Sequence, residues 1–101
     1  MNFNDIKKEL NAGKFVSRSE WNLEVIIWQK PSTVISATMC YDKNLKKLIE
    51  HFGNKDQNGS SCLKAEAIIC AYKNKSIKSG YELKQEDIFA DDWFVVDLNS
   101  L

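Results

Sequence analysis

The sequence predicts an α+β fold, a small antiparallel sheet with an N-terminal helix and a second short helix packed on it. Apolar residues recur at helical spacing at Phe3, Ile6 and Leu10 and again at Leu45, Leu48, Ile49 and Phe52. Gly13 and Gly53 stand where each of those helices should stop. The remaining apolar residues fall in short alternating runs rich in β-branched and aromatic side chains, the last being Trp93-Phe94-Val95-Val96.

The first helix is expected near residues 4–12, with Asn2 or Asn4 as its cap and Gly13 in the left-handed stop position. Residues 14–18 alternate, with Phe15 and Ser17 on one side and Val16 on the other, as in a short strand. Residues 23–29 form a second strand. There Leu23, Val25 and Ile27 share one face and Glu24, Ile26 and Trp28 the other, which implies cover on both faces. Pro31 and Ser32 mark a turn, and the β-branched run over 33–41 reads as a third strand.

Asp42 is placed to cap the second helix, whose Lys43, Lys46, Lys47 and Glu50 take the faces that Leu45, Ile49 and Phe52 leave. Residues 53–61 have almost nothing to bury and read as an exposed loop within a single domain spanning 1–101. Residues 62–72 alternate like a strand although their alanines would also suit a helix; strand is the reading adopted. A polar turn over 74–80, one helical turn over 85–90 and a last strand over 93–97 complete the chain.

Composition narrows the function classes. At 101 residues the chain fits one domain, with a modest core that buries about 60–65% of the unfolded surface. No apolar run approaches the roughly 18 residues of a membrane span. The start, Met1-Asn2-Phe3-Asn4-Asp5-Ile6, lacks the basic and apolar regions of a secretory signal, so a cytoplasmic location is expected. Fourteen basic residues cancel fourteen acidic ones, which argues against a footprint for long nucleic acid. Cys40, Cys62 and Cys70 form no C-x-x-C pair and suggest neither a disulfide framework nor a zinc site.

Catalytic constellations are missing. His51 is the only histidine and sits at the end of the second helix, where it suits the helix dipole and has no evident metal partner. No spacing brings a cysteine to it with a third, orienting group. Glu86, Asp87, Asp91 and Asp92 match no calcium loop, and the four glycines are scattered, so no phosphate loop is present.

The aromatic residues are the remaining resource. Trp93 opens a strand and reads as core, whereas Trp21 lies in a turn between Glu20 and Asn22 and is the better stacking platform. A base stacked there would gain about 1–3 kcal/mol, and Asn22, Gln85 and Asp87 carry suitable groups for a base edge or ribose. Phosphates would want Arg18, a lysine, or free amides at the start of the Gln85 turn. Arg18 is the only arginine, and a surface pairing with Glu20 or Glu24 is equally open to it.

Two blocks carry a resemblance. Gly13-Lys14-x-Val16-x-Arg18-x-x-Trp21-Asn22, followed by Gln85-x-Asp87-x-x-Ala90-x-Asp92-Trp93, is similar to the second Thoeris anti-defence family of phage proteins. The likeness covers residues 1–30 and 66–97, with the second helix and the 53–61 loop looking like an insertion. It implies a compact α+β homotetramer whose pockets between protomers sequester a cyclic ADP-ribose isomer made by a TIR-domain enzyme, without cleaving it. Some members are understood to hold cyclic oligonucleotides. No cofactor, metal or catalytic residue is implied, and the expected ligand contacts are Arg18, Trp21, Asn22, Tyr81, Lys84, Gln85 and Asp87. Lys84 departs from the family's small hydroxyl residue and Tyr81 from its usual tryptophan. A module that docks a host protein, and more remotely a nucleotide-cleaving enzyme, are the rival readings.

Overall fold

The structure, a computed structural model, describes residues 1–101, and the chain forms two units: Met1–Pro31 with Ile68–Leu101, and Ser32–Ala67. In the first, Asn2 caps α1 (Phe3–Asn11) by accepting the Asp5 N–H at 2.9 Å, and Gly13 follows with φ +81°. Strand β1 (Phe15–Arg18) leads through a 3₁₀ turn (Ser19–Trp21) to β2 (Val25–Lys30). The chain returns to this unit as β6 (Ile68–Lys73), β7 (Ser76–Ser79), a single helical turn α3 (Gln85–Ile88) and β8 (Trp93–Val96), and ends in a 3₁₀ turn over Leu98–Ser100. The five strands form one antiparallel sheet in the order β7-β6-β2-β1-β8.

Alternation decides which residues enter the core. Val16 pairs with Ile27 and Ile27 with Ala71, and this face packs with Ile6 and Leu10 of α1. Val25 and Trp93 complete the same cluster. Burying Ile6 and Leu10 contributes about 1.5–3 kcal/mol each relative to exposure, which is what holds so short a helix in place. The opposite face carries Phe15, Ile26, Trp28 and Tyr72, with Phe15 and Trp28 edge to face at 5.6 Å. Both faces of β2 are therefore covered at least in part, as its composition predicts.

In the second unit β3 (Thr33–Ser36), β4 (Asn54–Lys55) and β5 (Ser61–Ala65) form an antiparallel sheet in the order β3-β5-β4. Against β5 lies α2 (Lys43–Phe52), capped by Asp42 through the Asn44 and Leu45 amides. Ile49 is its one fully buried residue. Burial pushes the Cys62 thiol up, assisted by the Asp56 carboxylate nearby. All three cysteines are free, Cys70 buried and the other two partly so.

The α+β class holds, and the strands divide between two sheets. The expected long strand over 62–72 is two strands in different sheets, β5 pairing with β3 and β4 and β6 with β2 and β7. The strand expected over 33–41 stops at Ser36, whose hydroxyl oxygen accepts the Thr38 N–H and turns the chain into a 3₁₀ turn (Ala37–Met39). The expected polar turn over 74–80 contains β7, because Asn74 and Lys75 both take positive φ and close a two-residue hairpin. Residues 53–61 carry β4 and a tip at Asp56, whose Oδ1 accepts the Asn58 and Ser60 amides. No helix is long and apolar enough to cross a membrane.

The two helix-terminating glycines act differently. Gly13 supplies positive φ in open space, whereas Gly53 is extended at φ −71°, and a Cβ there would run into the Ile49 carbonyl and come within 2.8 Å of the Cys62 carbonyl. Gly13→Ala should therefore cost about 1–2 kcal/mol of backbone strain and leave residues 32–67 undisturbed. Gly53→Ala should cost about 1–3 kcal/mol through overpacking and remove hydrogen-exchange protection from α2 and β5. Equal protection in both variants would refute the distinction.

Candidate ligand-binding site

Arg18 ends β1 on the core side of the sheet, opposite Trp93 of β8, and is only 7% exposed. A guanidinium buried there needs partners for its fixed fork of donors. Nε donates to Asp92 Oδ1 at 2.8 Å, Nη1 to Asp87 Oδ1 at 2.7 Å and Nη2 to Glu20 Oε2 at 2.7 Å. The hydrogen bond to Asp92 raises the Arg18 pKa further above its ordinary value, against the effect of burial.

The carboxylates are themselves held. Asp87 is 3% exposed; its Oδ2 accepts the Lys84 N–H at 3.0 Å, closing the start of α3, and its carbonyl accepts the Trp93 indole N–H at 2.8 Å. Asp92 Oδ2 accepts the Glu20 N–H at 3.0 Å, and its carbonyl accepts the Ser19 amide. No buried side-chain nitrogen or oxygen lacks a partner, the condition under which a buried ionic network is tolerated.

This network sets the position of Trp21. The chain turns at Asn22 and Leu23, with φ 51° and 62°. Asparagine takes that conformation readily, while leucine pays about 1–2 kcal/mol for it. The indole of Trp21 meets Trp93 edge to face at 5.2 Å and Tyr81 at 6.4 Å, with the Arg18 guanidinium carbon 5.9 Å from its ring centre. Trp21 is thus half-buried and rigidly oriented.

Beside it opens a cleft of about 320 Å³ lined by Trp21, Tyr81, Arg18, Lys73, Lys84 and the carboxyl-bearing Glu20, Glu24 and Glu86. Burial pushes the Tyr81 phenol up and the Asp87 charge adds to this, so at neutral pH Tyr81 keeps a proton to donate. Lys73 and Lys84 take part in no ion pair within the chain. No group of three His, Cys, Asp or Glu side chains is placed to hold a metal ion.

Of the residues predicted from sequence, Arg18, Trp21, Tyr81 and Lys84 line this cleft, and Gln85 lines an adjoining one. Asn22 is an exposed turn residue outside the lining, serving the backbone bend. Asp87 lies beneath the cleft with both oxygens engaged inside the protein. Arg18 forms part of the wall with each of its three nitrogens already donating to a carboxylate. Sequence reasoning named Glu20, Glu24 and Glu86 only in other roles and passed over Lys73. Only the register of β6 against β2, which sets Lys73 opposite Val25, brings Lys73 to the site; a lysine after an alternating run gives no such signal.

The family model Tad2-like, the Thoeris anti-defense 2-like domain, matches residues 1–96. The match spans residues 31–65 as well, which the likeness read from sequence over 1–30 and 66–97 leaves aside. No curated protein matches the chain.

Replacing Arg18 with leucine should cost about 3–5 kcal/mol, because it leaves buried carboxylate uncompensated; denaturant unfolding measures this, and a loss under 1 kcal/mol would refute the role. The Arg18 hydrogen bond holds the Asp92 carboxyl below the usual range, with the Glu20 amide assisting. The native state thus binds fewer protons here than the unfolded one. Its stabilisation is complete above about pH 4 and is lost as pH falls through the depressed Asp92 value. Asp92→Asn should flatten that acid limb of the melting-temperature profile. Lys84 opens α3 without a side-chain cap, so Lys84→Ser should stabilise the fold by about 1 kcal/mol while removing a cation from the cleft.

Proposed function

Because the chain belongs to the Thoeris anti-defense 2-like family, we propose that it is a non-enzymatic sponge for a cyclic ADP-ribose-type signal made by a TIR-domain enzyme in the host cytoplasm. The observation that carries this reading is a cleft in which two oriented rings, Trp21 and Tyr81, stand among both carboxylates and ammonium groups. An adenine-ribose-diphosphate ring needs that combination. Its base offers a face for stacking, its hydroxyls and exocyclic amine donate to carboxylates, and its phosphates pair with lysines.

Sequestration requires affinity without turnover. The charged groups nearest the rings are either locked to one another, as in the Arg18 network, or placed to hold, as are Lys73 and Lys84. A cleft of about 320 Å³ is at the low end of the roughly 300–1,000 Å³ of small-molecule sites. Because the cleft is open to solvent on one side, enclosing a dinucleotide-sized ring calls for a second protomer, which fits the homotetramer that the resemblance implies. Supporting such assembly is a groove of about 550 Å³ lined by Phe15, Ile26, Trp28, Tyr72, Ile77 and the C-terminal Leu98 and Leu101, an apolar surface that solvent does not favour. The same groove favours the rival reading, a module that docks a host protein.

Titration calorimetry with cyclic ADP-ribose isomers and a panel of cyclic di- and trinucleotides, followed by heating and chromatography, separates the readings. A sponge binds tightly and returns its ligand intact; fragments would mean an enzyme, and no heat with any ligand would favour the docking module. Trp21→Ala should weaken binding by about 1–3 kcal/mol, roughly ten- to a hundredfold in Kd. Wild-type affinity in a folded Trp21→Ala protein would remove the stacking contact.

A further inference from the structure

A second cleft, of about 600 Å³, adjoins the first, and Lys73, Tyr81 and Lys84 line both. Lys78, Glu82, Leu83 and Gln85 complete it. Strand register explains why two of its lysines converge. Lys73 stands opposite Val25 on β2 and Ser76 on β7, and Lys78 stands opposite Ala71. Val25 and Ala71 are core residues, so both lysines lie on the core-side face of the sheet, at its β7 edge. The chain then folds back, the Tyr81 N–H donating to the Ile69 carbonyl at 2.8 Å, and Lys84 closes the far side.

The two clefts differ in charge. In the first, Glu24 and Glu86 stand with Lys73 and Lys84, while Glu20 is one of the three carboxylates that hold Arg18. In the second, three ammonium groups face the single carboxylate of Glu82, and Lys73, Lys78 and Lys84 make no ion pair within the chain. Three flexible, strongly hydrated cations around one concavity suit a compact polyanion better than a planar carboxylate, which prefers arginine.

We propose that the second cleft is a diphosphate subsite. Lys78, which lines the second cleft and not the first, supplies the third positive charge, while the base and ribose of the same ligand occupy the first cleft. The adjoining base cleft rests on the sponge reading; the anion subsite rests on the lysine geometry alone. Because the lysines are solvent-exposed, affinity for the anion falls as salt rises.

The test uses the ¹⁵N-labelled protein titrated with inorganic pyrophosphate, and separately calorimetry with ADP-ribose and adenosine. Pyrophosphate should shift amides of residues 73, 78, 79 and 81–85, and Lys78→Gln, with an unchanged melting temperature, should weaken it at least threefold. Lys78→Gln should weaken ADP-ribose by a similar factor and leave adenosine unaffected. Pyrophosphate shifts spread equally over the lysines of α2, or unchanged by Lys78→Gln, would overturn the subsite. Nucleotide binding insensitive to Lys78→Gln and Lys73→Gln would overturn it while leaving the sponge reading intact. Pyrophosphate bound at the three lysines with no nucleotide bound would do the reverse.

Discussion

A single buried guanidinium organises the larger unit. Arg18 cannot shed its proton, so wherever the sheet buries it, acceptors must be brought to it, and they come from Glu20 beside it and from Asp87 and Asp92 some seventy residues away. That requirement seats α3 and β8 against the turn after β1. The same carboxylates are used twice: Asp87 also closes α3 through the Lys84 amide, and Asp92 also holds the Glu20 amide. Well-packed apolar residues stabilise as much as a buried ion network or more. What the network adds is one fixed geometry for the segment that carries Trp21.

The cleft follows from this arrangement. With Trp21 held against Trp93 and Tyr81, its ring loses little freedom when a ligand stacks on it, and the ordering cost of binding falls. With the Arg18 charge already balanced, the ammonium groups left to attract an anion are lysines on β6, β7 and at the head of α3. The result is a surface that carries carboxylates beside the indole and mainly lysines beyond Tyr81. The lack of net charge on the chain conceals this separation.

The second unit illustrates a different constraint. The residue that follows its helix is glycine because the Ile49 carbonyl and β5 leave no room there for a side chain, a steric need and not a conformational one. Asp42, the Ser36 hydroxyl and Asp56 each accept backbone amides where the chain changes direction, which fixes the corners of a small three-stranded sheet and its one helix.

Much of the fold was legible because its causes are local. The Asp42 cap, an asparagine cap at Asn2 or Asn4, the positive φ at Gly13 and the alternation of Val25, Ile27 and their neighbours are all decided within a few residues. The division of residues 62–72 was not legible, since Leu63, Ala65, Ile69 and Ala71 alternate without interruption and only their partner strands assign them to different sheets. Ser76–Ser79 was hidden for the same reason: a short polar strand is stabilised by β6 and not by its own composition.

Sequence alone determined the family motifs, the aromatic endowment and the presence of the two capped helices, because residue types and short spacings carry that information. Tertiary structure decided what each motif residue does. It placed Asp87 and Arg18 in a closed ionic network, left Asn22 to bend the backbone, and assembled Lys73 and Lys78 with Lys84 around Tyr81. Those roles depend on which distant segments a buried charge or a strand edge meets, and long-range electrostatics and strand register leave no mark in the local pattern of a single sequence.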